Sequence, residues 1–143
     1  MTHPDNHKIL AVGINYLKHE WVILDQSIEA DINYLKTVTD GGFYVIHNNK
    51  ADNIWIVAYV SDVKPVAYYI YYRDRKKAKF LFTHQPGLAK YKLSPMKPVI
   101  IKSRDNLDLV SYLTLPIGIK PENLSLIILP HGGPQSRDSW GLM

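Results

Sequence analysis

The residues of this sequence that are best suited to chemistry form a glycine-rich turn, His131-Gly132-Gly133-Pro134. A short apolar run at residues 124–130 leads directly into the turn and predicts a strand. A glycine-rich turn after a buried strand leaves a backbone N–H free to bind the negative oxygen of a tetrahedral intermediate. The pattern therefore indicates a place where the transition state of acyl transfer can be stabilised.

Acyl transfer also needs a nucleophile, and the sequence offers none in the expected setting. In hydrolases of the α/β type the serine lies in a Gly-x-Ser-x-Gly elbow, and the acid and the histidine follow it along the chain. None of the serines here has that pattern; Ser139 comes closest, with Gly141 after it but Arg137 before it. There is no cysteine to replace the serine. These 143 residues therefore carry an oxyanion-binding pattern without a Ser-Asp-His triad.

Composition limits the class of protein. A 46% hydrophobic and 21% charged chain is typical of a globular domain. The absence of cysteine fits a reducing compartment and excludes cysteine-based zinc sites. The polar start lacks the apolar core of a signal peptide, and no apolar run is long enough to cross a bilayer. We expect a cytoplasmic protein with no membrane contact, no cofactor and no metal. His3 and His7 have the spacing of two metal ligands on one helix face, but they lie outside any predicted helix.

A basic cluster at residues 73–77 follows the tyrosine-rich run at 68–72. Basic side chains beside aromatic rings can hold a nucleic-acid backbone and stack bases. A charged turn between two strands explains the same residues, and one short cluster is a weak footprint for nucleic acid. We expect no nucleic-acid partner.

The middle of the chain predicts a mainly β fold. Apolar runs at residues 43–47, 54–60, 66–72 and 79–82 recur every eleven or twelve residues, with turn-forming residues between them. They predict a four-stranded antiparallel meander whose middle strands are buried on both faces, as in a propeller blade. Two shorter runs, 9–13 and 21–24, are interpreted as the remnant of a preceding blade.

A helix is predicted between that remnant and the meander. Asp25 can cap it, and Ile28, Ile32 and Leu35 share one face. The Asp-Gly-Gly run at residues 40–42 is expected to end it.

The pattern changes after residue 82. Residues 83–97 have no sustained period and contain Pro86, Gly87 and Pro95, so they are interpreted as a linker. Two strands at 98–103 and 108–115, joined by a hairpin turn, then precede the run that enters the glycine-rich turn. The predicted division is 1–82, 83–97 and 98–143.

The stretches 102–116 and 126–141 together resemble the prolyl oligopeptidase family of serine peptidases, in its acylaminoacyl-peptidase and dipeptidyl-aminopeptidase branch. The flanking strands, the Arg-Asp turn at 104–105 and the trailing Arg-Asp-Ser-Trp-Gly at 137–141 make the match specific. The family's turn usually reads Arg-Asp-Gly; Asn106 replaces that glycine, and asparagine also accepts a positive φ.

The resemblance implies a fold and a function. Residues 1–82 would be the end of a β-propeller, and residues 98–143 the first strands of an α/β-hydrolase domain that cleaves short peptides or acyl-peptides. Gly133, next to Gly132, would donate the oxyanion-binding N–H, although an ordinary tight turn also fits. His131 would support the turn rather than act as the base, while Arg137 and Asp138 would either line the substrate pocket or form a local ion pair.

The resemblance also implies that most of the propeller and the triad lie outside these residues. Three interpretations follow: an inactive peptidase fragment, a subunit of a split enzyme completed by a second chain, or a binding module that has lost the reaction.

Overall fold

The computed structural model describes residues 1–133 and 135–142, and over these residues the protein is mainly β. Pro134 of the glycine-rich turn and Met143 lie outside the described residues. Three antiparallel sheets and one α-helix, α1 (Glu29–Leu35), make up the regular structure of this part. The strands are β1 (Ala11–Asn15), β2 (His19–Ile23), β3 (Gly42–Asn48), β4 (Ile54–Val60), β5 (Ala67–Tyr72), β6 (Lys77–Thr83), β7 (Met96–Lys102) and β8 (Asp108–Thr114).

The predicted four-stranded meander is confirmed, with strand order β3-β4-β5-β6 and antiparallel pairing throughout. The expected burial on both faces is confirmed in part for β4, where Ile54 and Ile56 are half-buried and the other five residues are buried. In β5 Tyr71 alone is fully buried, because one face of this strand packs on α1 and the other has no layer over it in the described residues. Burial on both faces requires a second layer over the sheet, and an apolar strand sequence does not by itself show that such a layer is present.

The two short N-terminal runs form a hairpin, β1–β2, that packs beside the meander. The indole N–H of Trp21 donates to the carbonyl of Phe43 at 3.0 Å, which joins β2 to β3. The His19 ring lies 4.1 Å from the Tyr44 ring at the same junction. These contacts fix the position of the hairpin against the first strand of the sheet.

The predicted apolar helix face is confirmed, because Ile28, Ile32 and Leu35 are completely buried against the meander. Asp25 accepts a hydrogen bond from the Ser27 N–H at 2.8 Å and so caps the 3-10 turn that precedes α1. The expected end of the helix at residues 40–42 is wrong. The helix ends at Leu35 and Gly42 begins β3. Gly41, with φ +105°, lies against the Val60 carbonyl at the start of the sheet instead of capping the helix.

A buried ionic network joins α1 to the sheet. Asp31, fully buried on α1, accepts hydrogen bonds from the Tyr71 hydroxyl at 2.7 Å and from Arg73 Nε at 3.0 Å. Arg73 also pairs with Asp52, and Lys76 pairs with Asp31. Burial, reinforced by the hydrogen bond to Asp31, raises the pKa of Tyr71. Two side chains of the basic cluster therefore serve the packing of the helix.

The β7–β8 hairpin is confirmed. Asn106 in its turn has φ +65°, which agrees with the expectation that asparagine takes the place of a glycine with positive φ. The expected strand at residues 124–130 is wrong. This run has no regular structure, and Leu126, Ile127, Ile128 and Leu129 are between 77% and 89% exposed. A strand is held by a ladder to a neighbour, and no strand in the described part of the chain lies beside this run.

Candidate functional site

The glycine-rich turn lies at the surface. His131, Gly132 and Gly133 are exposed, and Gly133 has φ +67°. A Cβ placed on either glycine would meet no heavy atom within 4 Å among the described residues. The positive φ is a conformation that glycine adopts at little cost and β-branched residues adopt poorly. The turn thus offers exposed backbone that another group can approach closely.

The segment that follows this turn, residues 137–142, is bound to the rest of the protein, and we call it the docked segment. Arg137 donates from Nη1 to the Asn15 carbonyl at 3.0 Å and from Nη2 to the Tyr16 carbonyl at 2.6 Å. Ser139 Oγ accepts from the Asn15 side-chain amide at 2.8 Å. The docked segment is therefore attached to the loop between β1 and β2.

In the second half of the docked segment, Trp140 and Gly141 are buried and Leu142 is half-buried. The Trp140 indole N–H donates to the Met96 carbonyl at 2.8 Å, and the Leu142 N–H donates to the Ser61 carbonyl at 2.8 Å. Gly141 has φ +116°, and a Cβ there would overlap Cγ1 of Val60. The docked segment thus bridges the β1–β2 loop, the end of β4 and the start of β7.

Arg137 and Asp138, the two residues predicted to line a substrate pocket, have different surroundings in the structure. The Arg137 guanidinium is occupied by two backbone carbonyls, and within the described residues it forms no ion pair with Asp138. Asp138 is exposed. Substrate contact by either residue stays a prediction.

A pocket of about 360 Å³ lies between the docked segment and the meander. One wall is Trp140, with Lys18 Nζ over its ring at 4.1 Å, and the other walls come from the β1–β2 hairpin and the loops before β3 and after β4. Its lining is Lys18, His19, Asp40, Gly41, Gly42, Ser61, Asp62, Val63, Lys64 and Trp140. The sequence did not indicate this pocket, because its walls come from four separate parts of the chain.

His19 at this pocket is expected to make stability depend on pH. Burial lowers the pKa of His19 below 6.5, and its Nδ1 is a buried atom without a hydrogen-bond partner in the described part of the protein. The unfolded chain therefore binds the proton more readily, and stability should fall as the pH drops through 6.5 toward the folded-state pKa. We expect the His19→Gln variant to lose part of this dependence in urea unfolding measured at a series of pH values. An unchanged slope, or an NMR titration of His19 at or above 6.5, would contradict this.

Among the described residues, no three His, Cys, Asp or Glu side chains converge in a metal-binding arrangement. No helix in that part of the chain is long and apolar enough to cross a membrane.

Comparisons with known proteins extend over nearly the whole chain. It is 40% identical over 145 aligned positions to dipeptidyl aminopeptidase BIII of Pseudoxanthomonas mexicana, which covers 96% of this chain and 21% of that protein. It is 29% identical over 163 positions to dipeptidyl peptidase family member 6 of Caenorhabditis elegans, covering 99% of the chain and 22% of that protein. The chain therefore spans about one fifth of the length of these relatives. No family model and no solved structure matches it.

Proposed function

Because this chain belongs to the prolyl oligopeptidase family of serine peptidases, as a segment homologous to part of its members, we propose that it supplies the oxyanion-binding turn of a peptidase. The observation that carries the proposal is the exposed turn at residues 131–133, where Gly133 has a positive φ and open space around its Cα. In the proposed site the N–H of Gly133 donates to the oxyanion, with Gly132 beside it. His131 supports the turn.

The proposed reaction is acyl-enzyme hydrolysis of short peptides. A serine attacks the scissile carbonyl, and the carbonyl oxygen becomes negative in the tetrahedral intermediate. An N–H already aimed at that oxygen stabilises it without reorganisation, and one such donor is worth about 3 to 4 kcal/mol. The serine, its histidine and the acid come from sequence outside these 143 residues, in the same polypeptide or in a second chain. The names of both relatives favour dipeptidyl substrates.

The architecture proposed for this role has two parts joined by a linker. Residues 1–82 form the end of a propeller, with β3–β6 as one blade and β1–β2 as part of another. Residues 83–97 form the linker, and residues 98–143 begin the α/β-hydrolase domain. Exposed apolar side chains support this division, because a neighbouring blade or sheet would cover them: Phe80 and Phe82 on β6, Ile101 on β7 and Leu109 on β8.

The chain by itself is expected to show no serine-hydrolase chemistry, because an oxyanion-binding N–H without a nucleophile has nothing to stabilise. Incubation with a fluorophosphonate probe should leave the 143-residue chain unlabelled. Stoichiometric labelling that disappears when one serine is replaced would refute this part of the account.

The function itself can be tested in a chimera in which residues 1–143 replace the aligned stretch of dipeptidyl aminopeptidase BIII. The two sequences align over 96% of this chain, so that the junctions fall at its ends. We expect the chimera to release dipeptides from a fluorogenic dipeptidyl substrate. A folded chimera with the parent's thermal stability but no hydrolysis would contradict the proposed function and favour a binding module.

A further inference from the structure

The glycine-rich turn lies in a long connection that is fixed at both ends. Strand β8 ends at Thr114, and the docked segment begins at Arg137. Between them the described residues contain no helix and no strand. Among the described residues after Gly133, Arg137 is the first with a hydrogen bond to another part of the protein, and it lies four positions away along the chain.

The Arg137 contact has a geometry that only arginine provides. Its two Nη atoms donate to two successive carbonyls, those of Asn15 and Tyr16. The planar guanidinium carries its donors in a fixed fork, whereas lysine has one ammonium group that cannot reach both oxygens in the same arrangement. The receiving loop is itself held, because the Tyr112 hydroxyl of β8 donates to the Leu17 carbonyl at 3.1 Å. The anchor thus rests on a loop that is itself tied to β8.

The remaining contacts of the docked segment do not depend on Arg137. Trp140 and Leu142 donate hydrogen bonds to the carbonyls of Met96 and Ser61, and Gly141 lies against the Val60 side chain. Removing the guanidinium should therefore free the residues before position 139 while leaving the buried part of the segment in place. The effect is expected on the turn and not on the fold.

We propose that Arg137 is a positioning residue, which holds the oxyanion-binding turn in place by tying the start of the docked segment to the β1–β2 loop. The catalytic consequence rests on the proposed function of Gly133. A donor that acts only in the transition state affects kcat when it is misplaced and leaves ground-state binding nearly unchanged. Misplacement by about 1 Å costs up to about 10²-fold in rate.

The first test uses the 143-residue chain and does not require activity. We expect the backbone ¹⁵N order parameters of Gly132 and Gly133 to fall in Arg137→Met, toward the range below about 0.6 that marks flexible backbone. Arg137→Lys should give an intermediate value. Arg104→Met, on the exposed β7–β8 turn, is the matched control and should leave both glycines unchanged. Unchanged order parameters in Arg137→Met would overturn the proposal.

The second test uses the chimera and a double-mutant cycle. Arg137→Met should lower kcat by about ten- to 10²-fold with little change in KM, whereas Arg104→Met should match the unmutated chimera. If Arg137 acts through Gly133, adding Arg137→Met to Gly133→Val should lower kcat little further. Full additivity, or a loss confined to KM, would overturn the positioning role. A Gly133→Val chimera with normal kcat would instead refute the proposed function, and the order parameters would still decide the role of Arg137.

Discussion

Replacement of Gly133 by valine is expected to lower kcat of the chimeric peptidase by about 10²- to 10³-fold, the loss measured when one oxyanion-hole donor is removed elsewhere. Valine is β-branched and cannot adopt the φ of +67° without strain, so the turn should change its backbone conformation and redirect the N–H. The open space around Gly133 means that the valine side chain clashes with nothing in the described part of the chain. The fold should therefore survive the change.

Gly118→Val is the matched control, because Gly118 also has a positive φ, +75°, and open space among the described residues. Both variants place valine at a positive φ, but only Gly133→Val does so in the proposed oxyanion-binding turn. Steady-state kinetics of the two variants, with thermal unfolding beside them, separate loss of the donor from loss of stability. Equal kcat in the two variants would show that the turn at residues 131–133 is structural.

Replacement of Arg73 by methionine is expected to destabilise the chain by about 3 to 5 kcal/mol, the usual cost of breaking a buried ion pair by removing one partner. The side chain of Asp31 is 1% exposed and that of Asp52 is 6% exposed. Water therefore cannot replace the hydrogen bonds that these carboxylates accept from Arg73. Lys76 would still pair with Asp31, but Asp52 would keep only its hydrogen bonds from Trp55 and Asn48. The loss should appear as a lower urea midpoint with an unchanged slope.

Arg75→Met is the control from the same 3-10 turn, because Arg75 is exposed and its guanidinium carbon lies 6.0 Å from the centre of the Tyr72 ring. It should change stability by less than about 1 kcal/mol. A double variant with Arg73→Met and Asp52→Asn should recover part of the loss, since it removes the carboxylate that is left without a cation, whereas Asp31 keeps Lys76. Equal midpoints for Arg73→Met and Arg75→Met would show that the network does not hold α1 on the sheet.

The parts of the fold that the sequence predicted depend on neighbours along the chain. Adjacent strands of the meander are joined by short turns rich in Asn, Asp and Pro. The spacing of the apolar runs is therefore enough to predict the strand order. The apolar helix face follows from the positions of Ile28, Ile32 and Leu35 alone. Asn106 adopts a positive φ because its place in the hairpin turn demands one.

The parts that were wrong or missed depend on distant residues. The run at 124–130 has strand composition, but a strand also requires a partner, and none lies beside it in the described residues. Arg73 was interpreted as part of a charged turn, because Asp31, its partner 42 positions earlier, could not be identified without the fold. The anchoring of Arg137 on Asn15, 122 positions away, was missed for the same reason. Trp140 is a local signal in the sequence that this segment is packed, because tryptophan is highly buried on average.

The most direct measurement of the central claim is a crystal structure of the chimera with its nucleophile phosphonylated, since the phosphonyl oxygen then occupies the position of the oxyanion. We expect the Gly133 backbone nitrogen to lie about 2.7 to 3.1 Å from that oxygen, with the N–H aimed at it. Arg137 should still bind the carbonyls of Asn15 and Tyr16 in that structure. A phosphonyl oxygen bound entirely by other donors, with the Gly133 N–H turned toward solvent, would contradict the assignment.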